Sequence, residues 1–121
     1  MKDVIKAAKV SVSTYKQYGV SGLISLSEDC YKKRPPNPYC TYVDLAARQI
    51  DLTMAQAYGL PSNDFFDREA LLNRVTPTLE SLKIPPEKWG DYLDATEDIV
   101  GKVTDKALVE SINNDRKKAK R

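Results

Sequence analysis

The sequence predicts an all-α domain, a compact bundle or orthogonal array of five to six helices with one disulfide, and three observations point that way. Apolar residues recur at spacings of three and four through most of the chain, which is the helical period. No stretch alternates apolar and polar residues between turn signals as a half-buried strand would. Glycines and prolines fall where the helical stripes stop.

Lys2 to Tyr18 places Val4, Ala8, Val12 and Tyr15 on one helical face, with Gly19 as its stop and Ser21 as the N-cap of a second helix. That second helix carries Leu23, Leu26 and Cys30 before Pro35, Pro36 and Pro38 forbid its continuation. The third gives the strongest periodic signal. Cys40, Val43, Ala47, Ile50, Met54 and Ala57 form one seam, while Leu45 and Leu52 lie opposite, so this helix is expected to be central and touched on two sides. Gly59-Leu60-Pro61 follows in the order of a Schellman stop.

Phe65, Phe66, Leu71, Leu72 and Val75 suggest a short helix capped by Asp64 or Asp67. Thr76-Pro77 then reads as an N-cap followed by proline at N1, starting a further short helix through Leu82; one kinked helix is the alternative. A long last helix from Trp89 through Leu93, Thr96, Val100, Val103 and Ala107 is expected to reach Ile112.

The 121 residues fit a single domain, 1–121, with 41% hydrophobic and 30% charged residues supporting a core and a wet surface. Charges or prolines interrupt every apolar run, so membrane insertion is not expected. The formal charge of +2 conceals an asymmetry, because five of the 19 Lys and Arg lie in the tail 115–121, read as basic and frayed. The remaining 14 face 17 Asp and Glu, a weakly acidic body ill suited to nucleic acid.

Cys30 and Cys40 flank the proline loop, at the end of one helix and the start of the next, where a hairpin would bring them within bonding reach. Such a bond implies an oxidising compartment, so the expected location is periplasmic or secreted as a mature form, with the cytoplasm as the alternative. The opening MKDVIKAAKV is amphipathic and has no apolar signal-peptide core. Histidine is absent, which removes the usual general base near neutral pH and the Ser-His and Cys-His pairs. Two cysteines without histidine also make a poor zinc set, and no segment fits a calcium loop; no metal and no cofactor are expected.

Asp44, Arg48 and Asp51 share one side of the third helix and are expected to form a structural ion cluster, Arg48 pairing with either carboxylate across one turn. Asp91, Asp94, Glu97 and Asp98 give the last helix an acidic face suited to a basic partner. Residues 54–60 resemble the first helix and turn of a helix-turn-helix. The helix that would enter the groove, DFFDREALL, sets Asp64, Asp67 and Glu69 against Arg68 alone, a surface that repels phosphate.

Tyr31, Arg34, Pro36, Tyr39 and Tyr42 crowd the proline loop, and tyrosine beside proline and arginine makes a recognition surface at low entropic cost. The expected function is non-enzymatic binding of a partner protein, through this loop or through Asp91, Asp94 and Asp98. In size, staple and missing chemistry the chain is like small helical proteins of the bacterial envelope that bind and neutralise another protein. The alternatives are a cytosolic helix-turn-helix-like DNA-binding regulator and a carboxylate-dependent hydrolase working through Asp44 or Asp51.

Overall fold

The computed structural model describes residues 1–119 and is all-helical there. Four α-helices, α1 (Lys2–Lys33), α2 (Pro38–Tyr58), α3 (Arg68–Ser81) and α4 (Trp89–Ala119), are joined by short links carrying single 3-10 turns at Asp64–Phe66 and Pro86–Lys88. The expected five to six is therefore too many, for two local reasons.

The first reason is Gly19. It does interrupt the helix where expected, with φ 70° and ψ −157°, a conformation that only glycine adopts without strain, so α1 is two helical limbs joined at this kink and counts as one bent element. The bend is sharp. In a straight helix Lys6 and Lys33 would lie about 40 Å apart, yet Lys6 Nζ sits 5.4 Å from the ring of Tyr39, just past the end of α1. The two limbs, residues 2–18 and 20–33, therefore double back. Tyr18 closes so tightly over Gly22 that a Cβ there would meet its Cβ at 2.5 Å.

The second reason is Pro77. The expected break before it is replaced by the single-helix alternative, because Leu71, Val75 and Leu79 form one buried stripe at spacings of four that runs straight across it. Thr76 is no N-cap; its hydroxyl donates back to the Leu72 carbonyl at 2.7 Å. Asp67, one of the two expected caps, does cap α3 by accepting from the Ala70 N–H at 2.8 Å.

Helix α2 is the central element. Cys40, Val43, Ala47 and Ile50 are buried along its seam and Leu45 is buried on the other side. Leu45 and Ala46 pack with Val4, Leu71, Val75, Leu79, Leu93 and Val100, while Ala47 and Ile50 pack with Val12, Leu23, Phe66 and Leu108. The helix thus divides the core in two, each half closed by α1 and α4. Gly59 ends it in the left-handed conformation with the Leu60 N–H donating to the Ala55 carbonyl, the expected Schellman geometry.

An unexpected second Schellman stop ends α3. Lys83 takes φ 61°, its N–H donates to the Glu80 carbonyl at 2.9 Å, and the Ile84 N–H reaches Leu79 at 3.2 Å. The Trp89 indole N–H donates to the Ile84 carbonyl and pins the start of α4 to that turn. Helix α4 runs past Ile112, so Arg116, Lys117 and Lys118 of the tail are helical; Lys120 and Arg121 lie outside the described residues. No helix among the described residues is long and apolar enough to cross a membrane.

Candidate functional site

Around the proline loop, four constraints converge. Asn37 caps α2, its side-chain oxygen accepting from the Cys40 N–H at 3.3 Å while its amide donates to the Pro35 carbonyl at 2.7 Å. Proline at the first helical position costs α2 nothing, since that N–H has no intrahelical partner. Cys30 and Cys40 are joined as a disulfide with Cα atoms 5.6 Å apart, tying the end of α1 to the start of α2. From α3, Thr78 donates its hydroxyl to the Asn37 carbonyl at 3.4 Å.

Beneath the loop lies a buried polar network. Asp44 is fully buried and accepts two bonds from Arg74, at 2.7 Å from Nε and 2.9 Å from Nη2, plus one from the Tyr31 hydroxyl at 2.8 Å. Burial, and then the Asp44 carboxylate beside it, hold the Tyr31 hydroxyl far above the usual phenol range. The Arg74 guanidinium also covers the Phe65 ring at 3.8 Å, so α1, α2, α3 and the turn before α3 all meet at one side chain.

The expected ion cluster does not form within α2. Asp44 goes to Arg74, Arg48 reaches Glu97 and the Phe66 carbonyl, and Asp51 accepts from the Asn63 N–H at 2.8 Å. Spacing within one helix fixes which side a charge is on, but these side chains point into packed neighbours and bond across to them. Burial raises the Asp51 carboxyl above the usual carboxylate range, opposed by its bond from the Asn63 backbone.

The outward residues of the loop are the exposed Arg34, Pro35 and Pro36 and the half-buried Tyr39. Arg34 lies 4.8 Å from the Tyr39 ring and Lys6 5.4 Å from it, so two cations approach the same ring. Arg34 makes no ion pair among the described residues. A recess of about 190 Å³ opens beside it, walled by Tyr31, Pro36, Asn37, Arg74, Pro77 and Thr78. Tyr31 and Tyr42 face inward instead, Tyr42 packing on the core around Leu45.

The acidic face of α4 is largely engaged internally. Arg68 pairs with Asp94 at 2.6 Å and reaches Glu97, and Lys102 holds Asp98 at 3.3 Å; Asp94 and Asp98 stay exposed, and Asp91, also exposed, makes no ion pair among the described residues. Both arginines of α3, Arg68 and Arg74, are thereby in ion pairs, and Asp64 to Phe66 form a 3-10 turn before the helix rather than its first turn. Neither Arg74 nor Lys6 was marked by any local motif; only the tertiary fold brings them to the loop. The sequence matches no protein-family model, and no curated protein or solved structure matches it either.

Proposed function

We propose that this domain binds a partner protein through the stapled end formed by Arg34, Pro36 and Tyr39. One observation carries the reading: the loop is fixed at both ends and from below, while its outward arginine and prolines stay exposed and the arginine makes no ion pair among the described residues. A surface ordered before binding loses little conformational entropy on binding, and Arg and Tyr are the residues that most often dominate such contacts. The acidic face of α4 is the weaker candidate because Arg68 and Lys102 already neutralise much of it.

The disulfide supports an oxidising compartment, periplasmic or extracellular. There the domain would bind and neutralise, or escort, its partner in the manner of small helical envelope proteins. Catalysis is not needed for that role, and Asp44 is sealed by Arg74 and Tyr31 rather than offered to a substrate.

Affinity capture from the native host with the wild-type domain and with Arg34→Glu/Pro36→Ala tests the reading. A discrete protein retained by the wild type and lost with the double variant is expected. A partner retained equally by both places the binding surface elsewhere.

A further inference from the structure

We infer that the recess lined by Arg34 receives an acidic side chain of the partner, an aspartate or glutamate, with Arg34 as the cation that meets it and Lys6, on the Tyr39 ring that Arg34 also approaches, adding to the positive field. The inference rests on the protein-binding reading of the loop and names the chemistry that reading leaves open.

Charge is the first argument. Among the described residues no Asp or Glu lines the recess, and Asp44, which bonds the lining Tyr31 and Arg74 from behind, is already neutralised by a two-pronged bond from Arg74. Arg74 also lines the recess, and its bonds to Asp44 come from Nε and Nη2, which leaves Nη1 outside that pair. Arg34 and Lys6 make no ion pair among the described residues, and both approach the Tyr39 ring. The exposed Lys32 and Lys33 in the last turn of α1 add to the same field. An incoming carboxylate would therefore meet an arginine fork with no resident anion to displace.

Shape is the second argument. The recess holds about 190 Å³ and its rim is built from Pro35, Pro36 and Pro77, rings that cannot swing aside as long side chains do. That space suits one side chain rather than a duplex backbone or a bilayer surface. The Asn37 amide and Thr78 hydroxyl, also lining it, supply polar walls already held by their own bonds. The chain carries a second lysine-bearing groove, formed by Lys9, Lys16 and Lys118 between α1 and α4, but Glu110 and Asp115 lie in it and Asp115 pairs with Lys16 at 2.9 Å.

The test is a titration of the isotope-labelled oxidised domain with a Glu-rich 12-residue peptide, inorganic phosphate and vesicles containing phosphatidylserine. The peptide should shift backbone amides of Arg34, Asn37 and Thr78, weaken with salt, and lose affinity by about 10-fold with Arg34→Glu and by about 3-fold with Lys6→Glu. Lys16→Glu, on the other groove, should leave it unchanged. Shifts confined to Lys9 and Lys16, stronger binding of phosphate or vesicles than of peptide, or no peptide binding at low salt would each overturn the inference. If the peptide fails while a host protein is still captured and lost with Arg34→Glu/Pro36→Ala, this inference falls alone; if capture fails as well, the protein-binding reading falls with it.

Discussion

Arg74 reaches from α3 to clasp the buried Asp44 of α2 with two hydrogen bonds, at 2.7 and 2.9 Å. Because Asp44 has no access to water, the pair is a condition of the fold as well as a contact within it. It lies beneath the proline loop, whose ends are tied by the disulfide and the Asn37 cap.

Removing one partner should therefore cost far more than an exposed ion pair is worth. Arg74→Met is expected to lower unfolding stability by about 3 to 5 kcal/mol, since it strands a carboxylate in the core. Asp44→Asn combined with Arg74→Met should cost clearly less than the two single changes added together. Urea unfolding of the four proteins checks this; additive losses would mean that the two residues do not act as a pair.

The staple should matter comparably. Closing a loop with a sequence separation of 10 constrains the unfolded chain by about 3 kcal/mol, so the Cys30→Ala/Cys40→Ala variant should lose about that much. Its far-ultraviolet circular dichroism should stay helical, because the bond joins two helices without forming either. Equal stability of wild type with and without reductant would contradict the bond's role.

Asp51 gives a pH signature. Its carboxyl titrates higher folded than unfolded, so the folded state holds its proton more tightly and the charged form penalises folding. That penalty is complete above the folded pKa and vanishes as pH falls below the unfolded value of 3.8. Asp51→Asn, which keeps an oxygen to accept the Asn63 N–H, should therefore raise Tm at pH 7, with the gain shrinking toward pH 3. Thermal melts across that range decide it; a gain that grows on acidification would show the sign to be wrong.

Lys83 sits in the left-handed conformation at the end of α3, where a side chain is strained and glycine is not. Lys83→Gly should stabilise the domain by about 0.5 to 1 kcal/mol, the relief of strain being partly offset by the freer unfolded chain. Chemical denaturation reads this directly, and a loss of stability would show that the lysine makes contacts outweighing its backbone strain.

Much of the frame was legible because side-chain period and helix stops are local properties. The seam Cys40, Val43, Ala47, Ile50 and the Gly59 stop follow from α2's own residues. The doubling back of α1 was not legible, since spacing marks Gly19 as a break without saying that its ψ turns the chain around. The stop at Lys83 was hidden because a lysine carries no glycine signal. Arg48 went to Glu97 rather than to its helical neighbours, a choice made by what packs against α2. In the site, the loop and its disulfide could be found from the two cysteines and the prolines, whereas Arg74, Thr78 and Lys6 enter through long-range contacts.

A photoreactive residue placed at Pro36 tests the central claim most directly, with the same residue at the exposed Lys106 of α4 as the comparison. Irradiation in the native host should give one discrete protein adduct from position 36 and none from position 106, with the position-36 adduct suppressed by Arg34→Glu. An adduct from position 106 alone, or none from position 36 while the domain is folded and oxidised, would contradict the assignment of the stapled loop as the binding surface.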